Sequence, residues 1–142
     1  MSAREYLIDA SAYWRIDRGA VLAAAWRDHL ERGLVWICPP TEMEICRRVS
    51  KDQHAVHLRE FTGTYVQVEL HHRAGTVARE IQAGLIDGGQ AAGVHPIDLL
   101  IAATAVGYGF TVLTDDGDYA HQIAAVRPDL SVRMVGDGPA GS

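Results

Sequence analysis

Tyr6-Leu7-Ile8-Asp9-Ala10-Ser11 is an apolar run closed by a carboxylate, with small residues following at once. A run this short and this apolar reads as a buried strand, and its acid falls where the chain turns into the next element. Ser11 to Ile16 then opens a helix. Leu22, Ala25, Trp26 and Leu30 recur at helical spacing as far as Gly33, a stop signal. Leu34 to Cys38 is a second buried strand, closed by Pro39-Pro40, and Thr41 starts a helix carrying Met43, Glu44, Ile45 and Cys46.

Lys51 to about Gly63 is helical and polar, while Tyr65 to Leu70 fits a helix end or a short extended piece. Ala74, Val77, Ala78, Ile81 and Leu85 form one apolar helical stripe, broken by Gly88-Gly89 and Gly93. Pro96 leads into a helix, Asp98 to Val106, that is apolar nearly all round and so belongs inside the molecule. Phe110 to Leu113 is a buried strand, Gly117 marks a turn, Tyr119 to Val126 a helix and Val132 to Val135 a last strand. Short apolar strands alternating with helices predict a three-layer α/β fold, a mostly parallel sheet flanked by helices with right-handed crossovers. One domain over 1–135 is expected, with the Gly- and Pro-rich segment 136–142 a flexible tail.

The chain has 142 residues, a hydrophobic fraction of 48% and a net charge of −5, which argue for a packed core and against disorder. No apolar run spans a bilayer, and Arg4, Glu5 and Asp9 interrupt any secretory pattern, so a cytoplasmic protein is the default expectation. Cys38 and Cys46 lack metal-binding or redox spacing and read as reduced thiols. Asp9, Glu44, Asp98, Asp116 and Asp118 are candidates for one site; setting them aside leaves thirteen acids against thirteen bases. The acidity therefore does not exclude a nucleic-acid substrate, although it argues against a broad basic binding face.

Each acid also has a structural role open to it. Asp9 has the position of a helix N-cap, Asp98 lies in a first helical turn, Thr41-Glu42-Met43-Glu44 has the form of a capping box, and Asp115-Asp116-Gly117-Asp118 is turn chemistry. Their combination points elsewhere. Carboxylates gathered at one sheet edge repel unless a cation lies between them, and an all-oxygen set suits Mg²⁺ or Mn²⁺.

Four motifs carry a family resemblance: Leu7-Ile8-Asp9-Ala10-Ser11-Ala12, Pro39-Pro40-Thr41-Glu42-Met43-Glu44-Ile45, Ile97-Asp98-Leu99-Leu100-Ile101-Ala102-Ala103 and Thr114-Asp115-Asp116-Gly117-Asp118-Tyr119. In order and spacing they resemble PIN-domain ribonucleases, above all the VapC-type toxins of bacterial toxin–antitoxin pairs. The resemblance implies a PIN-like fold and metal-dependent endonucleolytic cleavage of RNA that leaves a 3′-hydroxyl and a 5′-phosphate. It implies Asp9, Glu44, Asp98 and Asp116 as the acidic quartet, Asp118 as a further acid, and Ser11 and Thr114 as orienting hydroxyls. Glu42 competes with Glu44, and Asp115 with Asp116; the family's spacing favours Glu44 and Asp116. It also implies a VapB-type antitoxin partner and a homodimer; Trp14 or the 51–63 helix is a candidate interface, with Trp14 equally open to a place in the core. Arg15, Arg47 and Arg48 stand near the motifs as candidate phosphate contacts.

Other chemistries fit less well. Seven histidines include no HExxH, and GxSxG, GxGxxG and GxxxxGK are absent. An aspartyl-phosphate enzyme using Asp9 would need a second acid where Ser11 stands and a nearby lysine, and Lys51 is the only lysine. A catalytically silent PIN-like interaction module is the non-enzymatic alternative.

Overall fold

Strand β1 (Tyr6–Ile8) lies at the centre of the sheet because all three of its side chains are buried, a position only a doubly covered strand can take. The computed structural model describes residues 3–140. After β1 come α1 (Ala10–Arg18), α2 (Ala20–Glu31), β2 (Val35–Ile37), α3 (Pro39–Cys46), α4 (Lys51–Gly63) and β3 (Val66–Gln67). The second half adds α5 (Ala74–Asp87), α6 (Pro96–Tyr108), β4 (Thr111–Thr114), α7 (Gly117–Val126) and β5 (Ser131–Met134). Every strand pairing is parallel, in the order β3-β2-β1-β4-β5.

Strand periodicity separates the two cores. Leu7 and Val112 face α5, α6 and α7, while Tyr6, Ile8 and Leu113 face α1, α2 and α4. The expected three-layer arrangement is the one observed. The chain leaves β1 toward β2 and β3 on one side, then crosses to β4 and β5 on the other. That reversal opens a crevice at the carboxyl ends of β1 and β4, the place where parallel sheets form sites.

Three local expectations change. Helix α3 begins at Pro39 with Cys38 as its N-cap, since proline at the first position loses no needed N–H. Thr41 is thus inside the helix, and its buried hydroxyl donates to the Ile8 carbonyl at 3.1 Å, so the capping box does not form. Gly117 is the first residue of α7 rather than a separate turn, with Asp116 as N-cap. The ambiguous stretch after Tyr65 is the two-residue edge strand β3.

Residues 137, 138 and 140 of the segment expected to be a flexible tail hydrogen-bond to the rest of the fold. Just before it, Trp26 Nε1 donates to the buried Val135 carbonyl at 3.0 Å; within it, the Asp137 and Gly138 carbonyls accept from Arg133, and the Ala140 N–H donates to the Tyr6 hydroxyl. Residues 141–142 lie outside the described residues.

Helix α6 stops at Gly109, whose φ is +78° and where an added Cβ would meet nothing within 4 Å. Gly109→Ala therefore isolates the cost of a left-handed backbone. We expect it to lower the unfolding free energy by about 1–2 kcal/mol, read from urea denaturation.

Candidate active site

Four separate segments deliver carboxylates to the crevice. Asp9 follows β1 directly, and its backbone N–H donates to the Leu113 carbonyl at 3.0 Å, extending the β1–β4 ladder by one residue. Its side chain caps α1: Oδ1 accepts from the Ala12 N–H at 2.9 Å and the Ser11 hydroxyl at 2.7 Å. Oδ2 accepts from the Tyr119 hydroxyl, so both oxygens of this buried carboxylate are held. Glu44 is three residues beyond Thr41, and the Thr41–Ile8 bond aims that face of α3 at the end of β1. Asp98 lies in the first turn of α6, which His95 caps by accepting the Ile97 N–H at Nδ1. Asp116 follows β4 and accepts the Asp118 N–H.

Asp9, Glu44, Asp98 and Asp116 line one pocket of about 180 Å³, shared with Ser11, His95 and Tyr119. Burial, above all, pushes the Asp98 carboxyl up to about 6; the charges of Asp9, Asp116 and Glu44 add to the shift, and His95 opposes it. The repulsion expected among gathered acids thus adds to burial at Asp98. Among the described residues no three carboxylate, imidazole or thiol groups form a ready-made cage. The four acids instead line an open pocket.

The structure separates each ambiguous pair of acids. Asp115 forms an ion pair with Arg15 at 2.6 Å, whereas Asp116 lines the pocket. Glu42 accepts from Gln67 Nε2 at 3.0 Å, whereas Glu44 lines the pocket. Asp118 is exposed on the first turn of α7, outside the lining. Thr114 is buried behind it, accepting the Asp116 N–H at 3.0 Å and lying 3.3 Å from the Ser11 hydroxyl. Lys51, at the start of α4, is exposed and outside the pocket, which leaves an aspartyl-phosphate mechanism without its lysine.

Residues 6–125 match the family model described as the PIN domain. The chain belongs to the PIN domain family. Among its relatives is Ribonuclease VapC2 of Mycobacterium tuberculosis (strain CDC 1551 / Oshkosh), 34% identical over 140 residues that cover 94% of this chain and 95% of the relative. Solved structures with the same fold include the DNA-bound VapBC from Salmonella typhimurium, at 17% identity and a TM-score of 0.76, covering 93% of this chain and 98% of that one. VapBC-5 from Mycobacterium tuberculosis, a member of the VapBC family of toxin–antitoxin systems, matches at 20% identity and a TM-score of 0.58, covering 94% and 98%.

Two polar residues of this PIN domain's pocket, His95 and Tyr119, had no role assigned from sequence. His95 had one available signal, its place just before the proline that opens α6. Tyr119 appeared only as the last residue of the fourth motif. Burial first, and then the Asp9 charge, hold the Tyr119 phenol well above its ordinary range, so it remains a donor at every working pH. Tyr119→Phe would leave Asp9 Oδ2 unpaired. We expect a loss of about 1.5–3 kcal/mol in unfolding free energy in EDTA, the range for a hydrogen bond to a charged group. An unchanged urea midpoint would argue that the phenol does not hold Asp9.

Proposed function

We propose that this PIN domain is a divalent-metal-dependent endoribonuclease and the toxin of a VapBC-type toxin–antitoxin pair. The observation that carries the reading is the pocket itself: four carboxylates from four segments line one crevice between β1 and β4. The name of the VapC2 relative and the toxin–antitoxin description of the VapBC-5 structure support it.

The donor set fits Mg²⁺ or Mn²⁺: it is all oxygen, and the like-charge pressure on Asp98 is what a bound cation would relieve. Asp9, Asp98 and Asp116 would hold the cation, with Glu44 completing the set. When bound, it supplies charge neutralisation to the anionic phosphodiester. Ser11, the Ala12 N–H and Tyr119 keep Asp9 from rotating, which fixes one wall before substrate arrives. Glu44, which lines the pocket from a different helix than Asp98, would accept a proton from the attacking water. Asp118, on the exposed rim, would orient water or a second cation, and Thr114 braces Ser11 and Asp116 from behind. Water attack at phosphorus would break the bond to the 3′ oxygen, which takes a proton from solvent, leaving a 3′-hydroxyl on one fragment and a 5′-phosphate on the other. A VapB-type antitoxin and a second copy of the chain are the partners proposed. No helix among the described residues is long and apolar enough to cross a membrane.

Incubating the protein with total RNA and Mg²⁺ or Mn²⁺, then mapping the cleaved ends, tests this reading. Cleavage that needs the metal, yields 5′-phosphate ends and is absent from Asp98→Asn is the expected result. Metal-independent cleavage, or cleavage preserved in that variant, would overturn it.

A further inference from the structure

Beside the acidic pocket lies a larger one of about 470 Å³, with Glu44 common to both. Trp14, Arg18, Arg47, Arg48 and His57 line it. A further cavity of about 400 Å³ shares Ser11 with the acidic pocket and Trp14 and Arg18 with the larger one. Trp14 and Arg18 therefore stand on a continuous surface that passes the proposed site of cleavage.

Arg18 is one turn beyond Trp14 on α1, and its Cζ lies 4.5 Å from the indole centroid. The indole is half-buried and braced edge-on by Tyr13, at 5.4 Å and 80°, and by His57, at 5.1 Å and 82°. The stack presents a flat cationic surface from a fixed base. Arg15 is committed to Asp115, but Arg18, Arg47 and Arg48 form no ion pair among the described residues. Three guanidiniums without carboxylate partners, gathered in one place on a chain of net charge −5, favour an anionic ligand. Asp17 and Glu44 also line the pocket, so phosphate is favoured only on its arginine side.

We propose that this pocket binds a nucleotide of single-stranded RNA next to the scissile phosphate. Its base lies on the Trp14–Arg18 stack and its phosphate is taken by Arg47 and Arg48. The volume is within the range of small-ligand sites, about 300–1,000 Å³. Stacking on an aromatic–guanidinium surface requires an unpaired base, so the chemistry selects single strands over duplex. The proposal rests on the ribonuclease reading and adds where the strand lies.

Fluorescence anisotropy with a labelled ten-nucleotide single-stranded RNA, in EDTA, measures binding separately from cleavage. Trp14→Leu is expected to weaken binding roughly 10-fold with little change in salt dependence. The exposed double variant Arg47→Ala/Arg48→Ala should weaken it too, and reduce the slope of log K against log salt by about 0.7 for each phosphate no longer neutralised. With Mg²⁺, both should raise KM more than they lower kcat. Wild-type affinity in both variants, while the wild type cleaves RNA, would overturn the subsite and leave the ribonuclease reading standing. Equal affinity for duplex RNA would overturn it as well. Displacement of RNA by a poly-glutamate peptide, with both variants losing the peptide but keeping RNA, would assign the pocket to an acidic protein partner instead. A wild type that neither binds nor cleaves RNA would remove the underlying reading.

Discussion

Asp98→Asn is expected to abolish RNA cleavage, by roughly 10³-fold or more, while raising the melting temperature of the metal-free protein. The two effects have one cause. Asp98 is the acid on which burial and the charges of Asp9, Asp116 and Glu44 converge, so ionising it costs the empty site energy. Losing a metal ligand forfeits several kcal/mol of transition-state stabilisation, and each 1.4 kcal/mol is tenfold in rate. The sign of the pH dependence follows from the shift. The carboxyl goes from 3.8 in the unfolded chain to about 6 in the fold, so its protonated form contributes stability that is complete below 3.8. That contribution disappears as pH rises through about 6. In EDTA the variant should therefore melt above the wild type at neutral pH, with the gap closing as pH falls toward 4. Adding Mn²⁺ should raise the wild-type melting temperature and leave the variant nearly unmoved. A variant less stable than the wild type at pH 7.5 in EDTA would contradict the charge argument.

Asp9→Ala should have the opposite effect on stability. Asp9 is 3% exposed and accepts from a hydroxyl, a phenol and a backbone N–H. Removing it strips the N-cap from α1 and leaves those buried donors without an acceptor. The expected loss is roughly 3–5 kcal/mol, a fall in melting temperature of about 10 °C or more for a chain of this size. Asp9→Asn keeps an oxygen for Ser11 and Ala12 and should lose much less stability, yet cleavage should vanish in both. Full stability in Asp9→Ala would show that the side chain is not structural. Activity in Asp9→Asn would remove it from the proposed cation site.

The contrast between these two acids explains how much of the site was legible. Both stand beside apolar segments, and that pattern, together with the family motifs, marked them. The pattern could not say that one is held by protein donors and the other pressed by burial and like charge, because the donors to Asp9 include Tyr119, in another motif. The Thr41–Glu44 spacing likewise suggested a local capping box. The actual partner of Thr41 is the Ile8 carbonyl, on a different strand, and that bond is what turns Glu44 toward the crevice.

By itself the sequence determined the order of elements, the parallel sheet and the placing of acids where strands end, because burial imposes periods of two and 3.6 on local stretches. The family's spacing favoured Glu44 and Asp116, and tertiary structure supplied the physical reason. Arg15 takes Asp115 and Gln67 takes Glu42, leaving Asp116 and Glu44 to the crevice. Tertiary structure also supplied the long-range partner of the tail's described part, the Tyr6 hydroxyl that accepts the Ala140 N–H. The physical reason is range: periodicity records what a residue's neighbours along the chain require, whereas these choices depend on side chains that only folding brings together.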